Sequence, residues 1–233
     1  MPNVVFFDLV GTLIRGTKPI GEQYADLARE FGADSDPSRL EAAFRAAMAE
    51  AAPLAFPGRS LGETAGLERL WWTGIVHKVV AQAGLSDALR GETFDRFFVA
   101  LYDHFTTADA WELFPDVLPV LRTLKARGTR LGLITNYDTR VFAVLDALGI
   151  ASCLDSVTIP AHAGVAKPDP AIFSHALARL DATAAESVHV GDEIDDDYRG
   201  AEAAGLGAVL IDRMGKFRGQ NHVRRVESLN DLL

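Results

Sequence analysis

The segment FFDLVGTLI, Phe6 to Ile14, runs apolar as far as one acid, Asp8, and then turns through Gly11 and Thr12. With Val4 and Val5 before it, the run reads as a buried strand that ends at a carboxylate. Open α/β sheets bind their ligands at such strand ends. The rest of the chain decides whether Asp8 has that company.

After Pro115 the pattern alternates between helix and strand. The helical stretches are PDVLPVLRTLKARG (115–128), DTRVFAVLDALG (138–149), DPAIFSHALARL (169–180) and DDDYRGAEAAG (195–205). Between them lie the strand-like RLGLITN (130–136), LDSVTIP (154–160), SVHVGD (187–192) and GAVLID (207–212). This alternation predicts βαβ units in a doubly wound, mainly parallel sheet, a Rossmann-like α/β core that includes the first strand. From Pro19 to Phe105 strand signals vanish, and four helical segments follow at 21–32, 37–52, 67–84 and 91–105. That block reads as an insertion, giving a core of residues 1–16 plus 107–233 and a helical cap of 17–106.

Bulk properties narrow the function. A net charge of −9 and no basic stripe argue against a nucleic-acid surface. No apolar run is long enough to span a bilayer, and MPNVVFFD lacks the basic start of a signal peptide. The lone Cys153 excludes an internal disulfide and reads as a small packing residue. These features predict a cytoplasmic protein acting on a small molecule; the oligomeric state is left open.

A parallel sheet gathers its strand ends at one edge, so the residues there can be read as a set. They are Asp8 with Thr12, Thr135 with Asn136, Lys167 from GVAKPDP, and Asp192 with Asp197 from HVGDEIDDD. Asp169 is placed to cap a helix that starts at Pro170. Each group has a task in phosphoryl transfer. Asp8 can attack phosphorus, and Thr135 and nearby N–H groups can hold phosphoryl oxygens. Lys167 can balance their charge. Asp8 and Asp192 can hold Mg²⁺, a cation that prefers oxygen ligands.

Taken in order, DLVGT, LITN, the Lys of AKPDP and GDEIDDD resemble the four motifs of the haloacid dehalogenase superfamily, across nearly the whole chain. LITNYD, WELFPDVLPVLRTLK and HVGDEIDDDYRGAEAAG look closest to a group within it that lacks a second aspartate in the first motif. The resemblance implies Asp8 as nucleophile and phosphate contacts from Thr12, Thr135, Asn136 and Lys167. It also implies a metal site of Asp8, the Val10 main-chain carbonyl and Asp192, supported by Asp197. Asp196 stands between ligand and bystander, whereas Glu193 and Asp195 read as surface. In the cap, Trp71, Trp72, Phe97 and Phe98 read as core, and Arg45 as a candidate anion contact.

Val10 is the departure that matters. Family phosphatases carry there an aspartate that protonates the leaving alcohol and then activates water. Losing such a group typically costs about 10²–10⁴-fold. Three family chemistries tolerate the gap. A 2-haloacid dehalogenase expels halide without a proton but uses no metal, and it has neutral groups where this chain has Asp192 and Asp197. A phosphonoacetaldehyde hydrolase needs a cap lysine, and Lys18 and Lys78 lie poorly for that. A Mg²⁺-dependent phosphatase of small phosphorylated metabolites, acting on good leaving groups, fits the mixture better. A pseudo-hydrolase that binds such metabolites with little turnover is the remaining alternative. No G-x-S-x-G elbow gives His162, His175 or His189 a serine partner, and neither GLGAVL nor GVAKPD completes a nucleotide-binding motif.

Overall fold

A computed structural model describes residues 2–220 and 222–233. Its elements run β1 Val4–Phe7, β2 Ile14–Gly16, α1 Ile20–Glu30, α2 Pro37–Ala49, α3 Leu61–Gln82, α4 Glu92–His104 and β3 Trp111–Leu113. The chain continues through α5 Val117–Ala126, β4 Arg130–Ile134, α6 Val141–Ala147, β5 Ser156–Thr158, α7 Pro160–Ala163 and α8 Pro170–Arg179. It ends with β6 Ser187–Gly191, α9 Gly200–Ala203, β7 Gly207–Ile211 and β8 Arg225–Val226.

Six strands form one sheet in the order β5-β4-β1-β6-β7-β8, and every pairing in it is parallel. Numbered by themselves along the chain, these strands read 3-2-1-4-5-6, the order of a doubly wound sheet. The order reverses between β1 and β6, so the crevice opens where Asp8 and Asp192 leave their strands. The expected "mainly parallel" sheet is wholly parallel; the antiparallel pairing lies apart, in a two-stranded ribbon of β2 and β3. That ribbon was not expected, because each of its strands has only three residues and so shows little periodicity.

Both sheet faces are covered, which is why β1 is apolar without alternation. Val5 and Phe7 pack with Leu131, Leu133 and Val190 under α5 and α6. Val4 and Phe6 face Ile172, Phe173 and Ala176 of α8. Asp36 and Asp169 cap α2 and α8 through the N–H groups of Ser38 and Ala171, each helix opening with a proline.

The expected helix over 195–205 takes a different form: a π-type turn at Ile194–Arg199 followed by the short α9. Asp197 is the reason. The N–H groups of Asp197 and Tyr198 both donate to the Glu193 carbonyl, and the Asp197 carboxylate accepts from the Glu193 N–H. The wider turn carries the Asp197 side chain inward.

Helices α1 to α4 bury a second core, with Tyr24, Leu40, Ile75, Val79, Phe94, Phe97 and Phe98 at its centre. Phe97 and Phe98 are therefore cap core as expected, while Trp71 and Trp72 pack against it only partly buried. Trp72 reaches the Rossmann-like core, its indole N–H donating to Asp138 at 2.5 Å. Glu68, one helical turn earlier, accepts from the Thr139 N–H and hydroxyl at 3.2 and 2.5 Å. Arg140 closes the join, forking onto Asp138 and donating to the Tyr102 carbonyl of α4. These groups are all deeply buried or shielded, so each needs its partner. Trp72→Phe keeps an aromatic ring and removes the donor to Asp138. The expected cost is about 1–3 kcal/mol of stability, read by chemical denaturation; a change under about 0.5 kcal/mol, ordinary for a surface substitution, would show that the bond does not tie cap to core.

Candidate active site

At the β1 end, the Asp8 N–H donates to the Val190 carbonyl, so the sheet ladder continues up to the carboxylate. The chain then folds back on itself, with the N–H groups of Leu13 and Ile14 both donating to the Leu9 carbonyl. Gly11 sits at φ +90°, and a Cβ there would stand 2.2–2.7 Å from the carboxylate of Asp192. Glycine is thus required by both the turn and the close approach of the β6 loop. Arg213 braces this loop from behind, donating to the Thr12 carbonyl at 2.7 and 3.2 Å and to Asp116.

Lys167 is the hub of the site. Its buried ammonium donates to Asp8 Oδ1 at 2.6 Å and to Asp197 Oδ1 at 2.5 Å. Its backbone is clasped by Asn136: the Lys167 N–H donates to Asn136 Oδ1 at 2.8 Å, and Asn136 Nδ2 donates to the Lys167 carbonyl at 3.0 Å. Asn136 therefore fixes the lysine as well as lining the cavity. Asp197 also accepts from His189 Nε2 at 2.9 Å. His189 lies on β6, in register with Phe6 and edge-on to the Phe173 ring. Its Nδ1 has no partner among the described residues, so Nε2 carries the proton given to Asp197.

The remaining expected residues fall around this hub. Asp8, Asp192 and Asp197 bring ligand oxygens within 4.8 Å of one another. Thr135 is buried on the cavity wall. Thr12, expected at the phosphate, is fully buried behind Asp192, to which its hydroxyl donates at 3.2 Å. Asp196 accepts from Asn136 at 3.3 Å and borders the cavity, as does Glu193. Asp195 is paired with Arg199 out in solvent. Val10 also borders the cavity and is 39% exposed.

Four carboxylates around one ammonium make a crowded field. Burial pushes Asp8 above the usual carboxylate range, against the pull of Lys167. Burial and repulsion from Asp8, Asp197 and Glu193 push Asp192 up to about 8. Burial would raise Asp197 too, but Lys167 and the His189 hydrogen bond outweigh it and hold that carboxyl well below its ordinary value. Lys167 is held charged: Asp197 and Asp8 outweigh the desolvation that opposes it. One carboxylate thus serves the lysine permanently, one shares it, and one is left short of positive charge.

The cavity has a volume of about 850 Å³ and extends from these groups to the cap. Arg45, the candidate anion contact, lines it but is ion-paired with Glu41 at 3.0 Å and is mostly exposed. Lys18 also lines it, paired with Asp26, while Lys78 pairs with Glu50 elsewhere on the cap.

Residues 2–205 match the model of the haloacid dehalogenase-like hydrolases. The chain belongs to that family. It is 33% identical over 210 residues to haloacid dehalogenase-like hydrolase domain-containing protein 3 of Danio rerio, covering 90% of this chain and 84% of the relative. The glyceraldehyde 3-phosphate phosphatase of Methanopyrus kandleri is 41% identical over 106 residues, 45% of each chain. Among solved structures, a 2-haloacid dehalogenase from Pseudomonas syringae superposes with a TM-score of 0.62 at 28% identity, covering 100% of this chain and 96% of its own. This protein is accordingly a hydrolase with a Rossmann-like core and a helical cap.

Reading the sequence missed Asp138, Arg140, Glu68 and Arg213, which carry no motif spacing. His189 had a detectable signal: a titratable residue inside an otherwise apolar buried strand. Asp197→Ala would leave the His189 N–H and the Glu193 N–H without acceptors and Lys167 with Asp8 alone. Breaking a buried pair from one side costs about 3–5 kcal/mol. That loss is expected in denaturant unfolding, whereas Asp195→Ala, at the exposed pair, should stay within about 0.5 kcal/mol. Equal effects from the two substitutions would contradict this account of the hub.

Proposed function

We propose that this hydrolase is a Mg²⁺-dependent phosphatase of small phosphorylated molecules, acting through an aspartyl-phosphate on Asp8. The observation that carries the reading is the Lys167 bridge between Asp8 and Asp197 beside Asp192. Lys167 occupies Oδ1 of Asp8, so Oδ2 is the oxygen that attacks phosphorus. Thr135 and Lys167 face the phosphoryl oxygens, and Asp197 holds the ammonium in place. The phosphatase named among the relatives supports the reaction class.

The donor set fits Mg²⁺. It is all oxygen, and Asp192 is short of positive charge. Asp8, the Val10 carbonyl and Asp192 would hold the ion. When bound, it supplies positive charge that offsets the repulsion between the carboxylates and a phosphate dianion. Without that charge, one lysine faces too many acids for an anionic substrate to enter. We assign the cap, residues 17–106, to shielding the crevice from water and to substrate selection.

Two outcomes test this. Asp8→Asn keeps the size and removes the attacking charge; turnover of every phosphate ester should fall by roughly 10⁴-fold or more, with melting unchanged or raised because a crowded buried charge is gone. Near wild-type turnover in the pure variant would exclude Asp8 as nucleophile. The second test uses pH. Asp192 is raised above its ordinary value, so below about pH 8 the metal-free folded protein holds a proton there. That group stabilises the fold fully at low pH, and its contribution is lost as pH climbs towards 8. Mg²⁺ must displace the proton, so its affinity should rise by up to about tenfold per pH unit until about pH 8 and then level. Titration calorimetry in buffers of different ionisation enthalpy should detect proton release at pH 6 to 7 and little at pH 9. No Mg²⁺ binding at pH 8 would remove the metal from the proposal.

A further inference from the structure

The cavity above Asp8 is built for rings. Phe44, Trp72, Phe98, Tyr102, Phe105 and Tyr137 stand on its wall, with Met48, Val76 and Leu101 between them. Arg140 stiffens this wall. Its guanidinium lies 3.9 Å over the Tyr102 ring and 5.0 Å over Trp72, while Asp138 and the Tyr102 carbonyl take up its donors.

The same wall carries no positive charge to spare. Among the described residues, each lining cation besides Lys167 is already ion-paired: Arg15 with Glu112 at 2.7 Å, Lys18 with Asp26 at 2.6 Å, Arg45 with Glu41 at 3.0 Å, and Arg140 with Asp138 at 2.6 Å. The exposed pairs are cheap to break, but breaking them does not make an anion site. Glu41 is pinned by the Gly21 N–H at 2.7 Å and lines the cavity, so a freed Arg45 would leave its carboxylate facing the newcomer. Glu112 stays on the wall in the same way. A second phosphate or a carboxylate on the substrate therefore finds repulsion, whereas an uncharged apolar group finds matching surface.

Val10 supplies an independent constraint. It borders the cavity beside Asp8 and offers no proton to the leaving oxygen. An alkoxide leaves poorly without one, but a phenolate leaves as the anion. Both constraints select one class of molecule. We propose that the substrate is a monophosphate ester of an uncharged phenol-type hydroxyl, with the aromatic ring seated in the cap cavity. This rests on the phosphatase reading above. Asp8 Oδ2 forms the bond to phosphorus, and the bond from phosphorus to the aryl oxygen breaks with its electron pair on that oxygen. The oxygen of water then bonds to phosphorus as the bond to Asp8 Oδ2 breaks with its electron pair returning to the carboxylate. The proton water gives up passes to the released aryloxide, so the products are phosphate and the free phenol.

The test compares four substrates with Mg²⁺ present: naphthyl phosphate, acetyl phosphate, glycerol phosphate and a sugar bisphosphate. Acetyl phosphate has a good leaving group without a ring, and glycerol phosphate has neither property. Naphthyl phosphate should have a KM at least about tenfold below that of acetyl phosphate, since it buries a ring's worth of apolar area. Glycerol phosphate should be slower in kcat by about 10²–10⁴-fold, and Val10→Asp should recover part of that gap. Phe44→Ala, at a half-buried wall position, should lower the naphthyl-to-acetyl ratio of kcat/KM by roughly tenfold; Met48→Ala, at an exposed wall position, should lower it in the same direction should the first variant fold poorly. Equal KM for naphthyl and acetyl phosphates would overturn the ring site while leaving the phosphatase standing. A preference for the bisphosphate would overturn the argument from charge. No turnover of any of the four would bring down the phosphatase reading itself, and quenching of tryptophan fluorescence by naphthyl phosphonate would then show whether a ring site exists without catalysis.

Discussion

Everything at this site depends on one buried ammonium shared by two carboxylates. Lys167 is almost inaccessible, and so are Asp8 and Asp197. Burying three charges together is costly unless each is held by partners in good geometry. The partners are present: Asn136 on the lysine backbone, His189 and the Glu193 N–H on Asp197, and the sheet ladder on Asp8. This explains why residues from four separate segments meet within a few ångströms. It also explains why the loop after β6 adopts a π-type turn, since a regular helix would not return Asp197 to the lysine.

The sequence displayed much of this arrangement because a parallel sheet converts chain order into spatial convergence. Asp8, Thr135 and Asp192 each follow a short apolar run, and β1, β4 and β6 are neighbours in the sheet. Once the alternation of helix and strand is recognised, their meeting follows. Lys167 was harder, as it follows no long strand; its place depends on the loop after α7 and on the clasp by Asn136, neither of which has a periodicity. The β2–β3 ribbon was invisible for a similar reason, its pairing joining residues almost a hundred positions apart.

The join between cap and core was illegible for a different reason. Asp138 and Arg140 look like ordinary solvated charges in YDTRVF, and Glu68 like the polar face of α3. Burial alone makes them structural. With the cap in place Asp138 is 1% exposed and Glu68 is 1% exposed, so their carboxylates need the indole, hydroxyl and guanidinium donors that surround them. Burial still pushes Glu68 above its ordinary value despite the two bonds from Thr139. Such a join is specific in direction, because each of its buried polar groups is satisfied only by the partner facing it.

Charge also bears on which residue position 10 can hold. A carboxylate there would be one more acid beside Asp8, Asp192, Asp196 and Asp197, against a single lysine already claimed twice. Asp192 bears the present excess and is pushed to about 8; another negative neighbour would push it further. Valine avoids that repulsion and extends the apolar wall of the cavity down to Asp8. The trade is chemical. Under the proposed phosphatase chemistry, a site without a proton to give would not act on every alcohol, so selectivity would pass from the acid to the leaving group and to the residues that recognise that group.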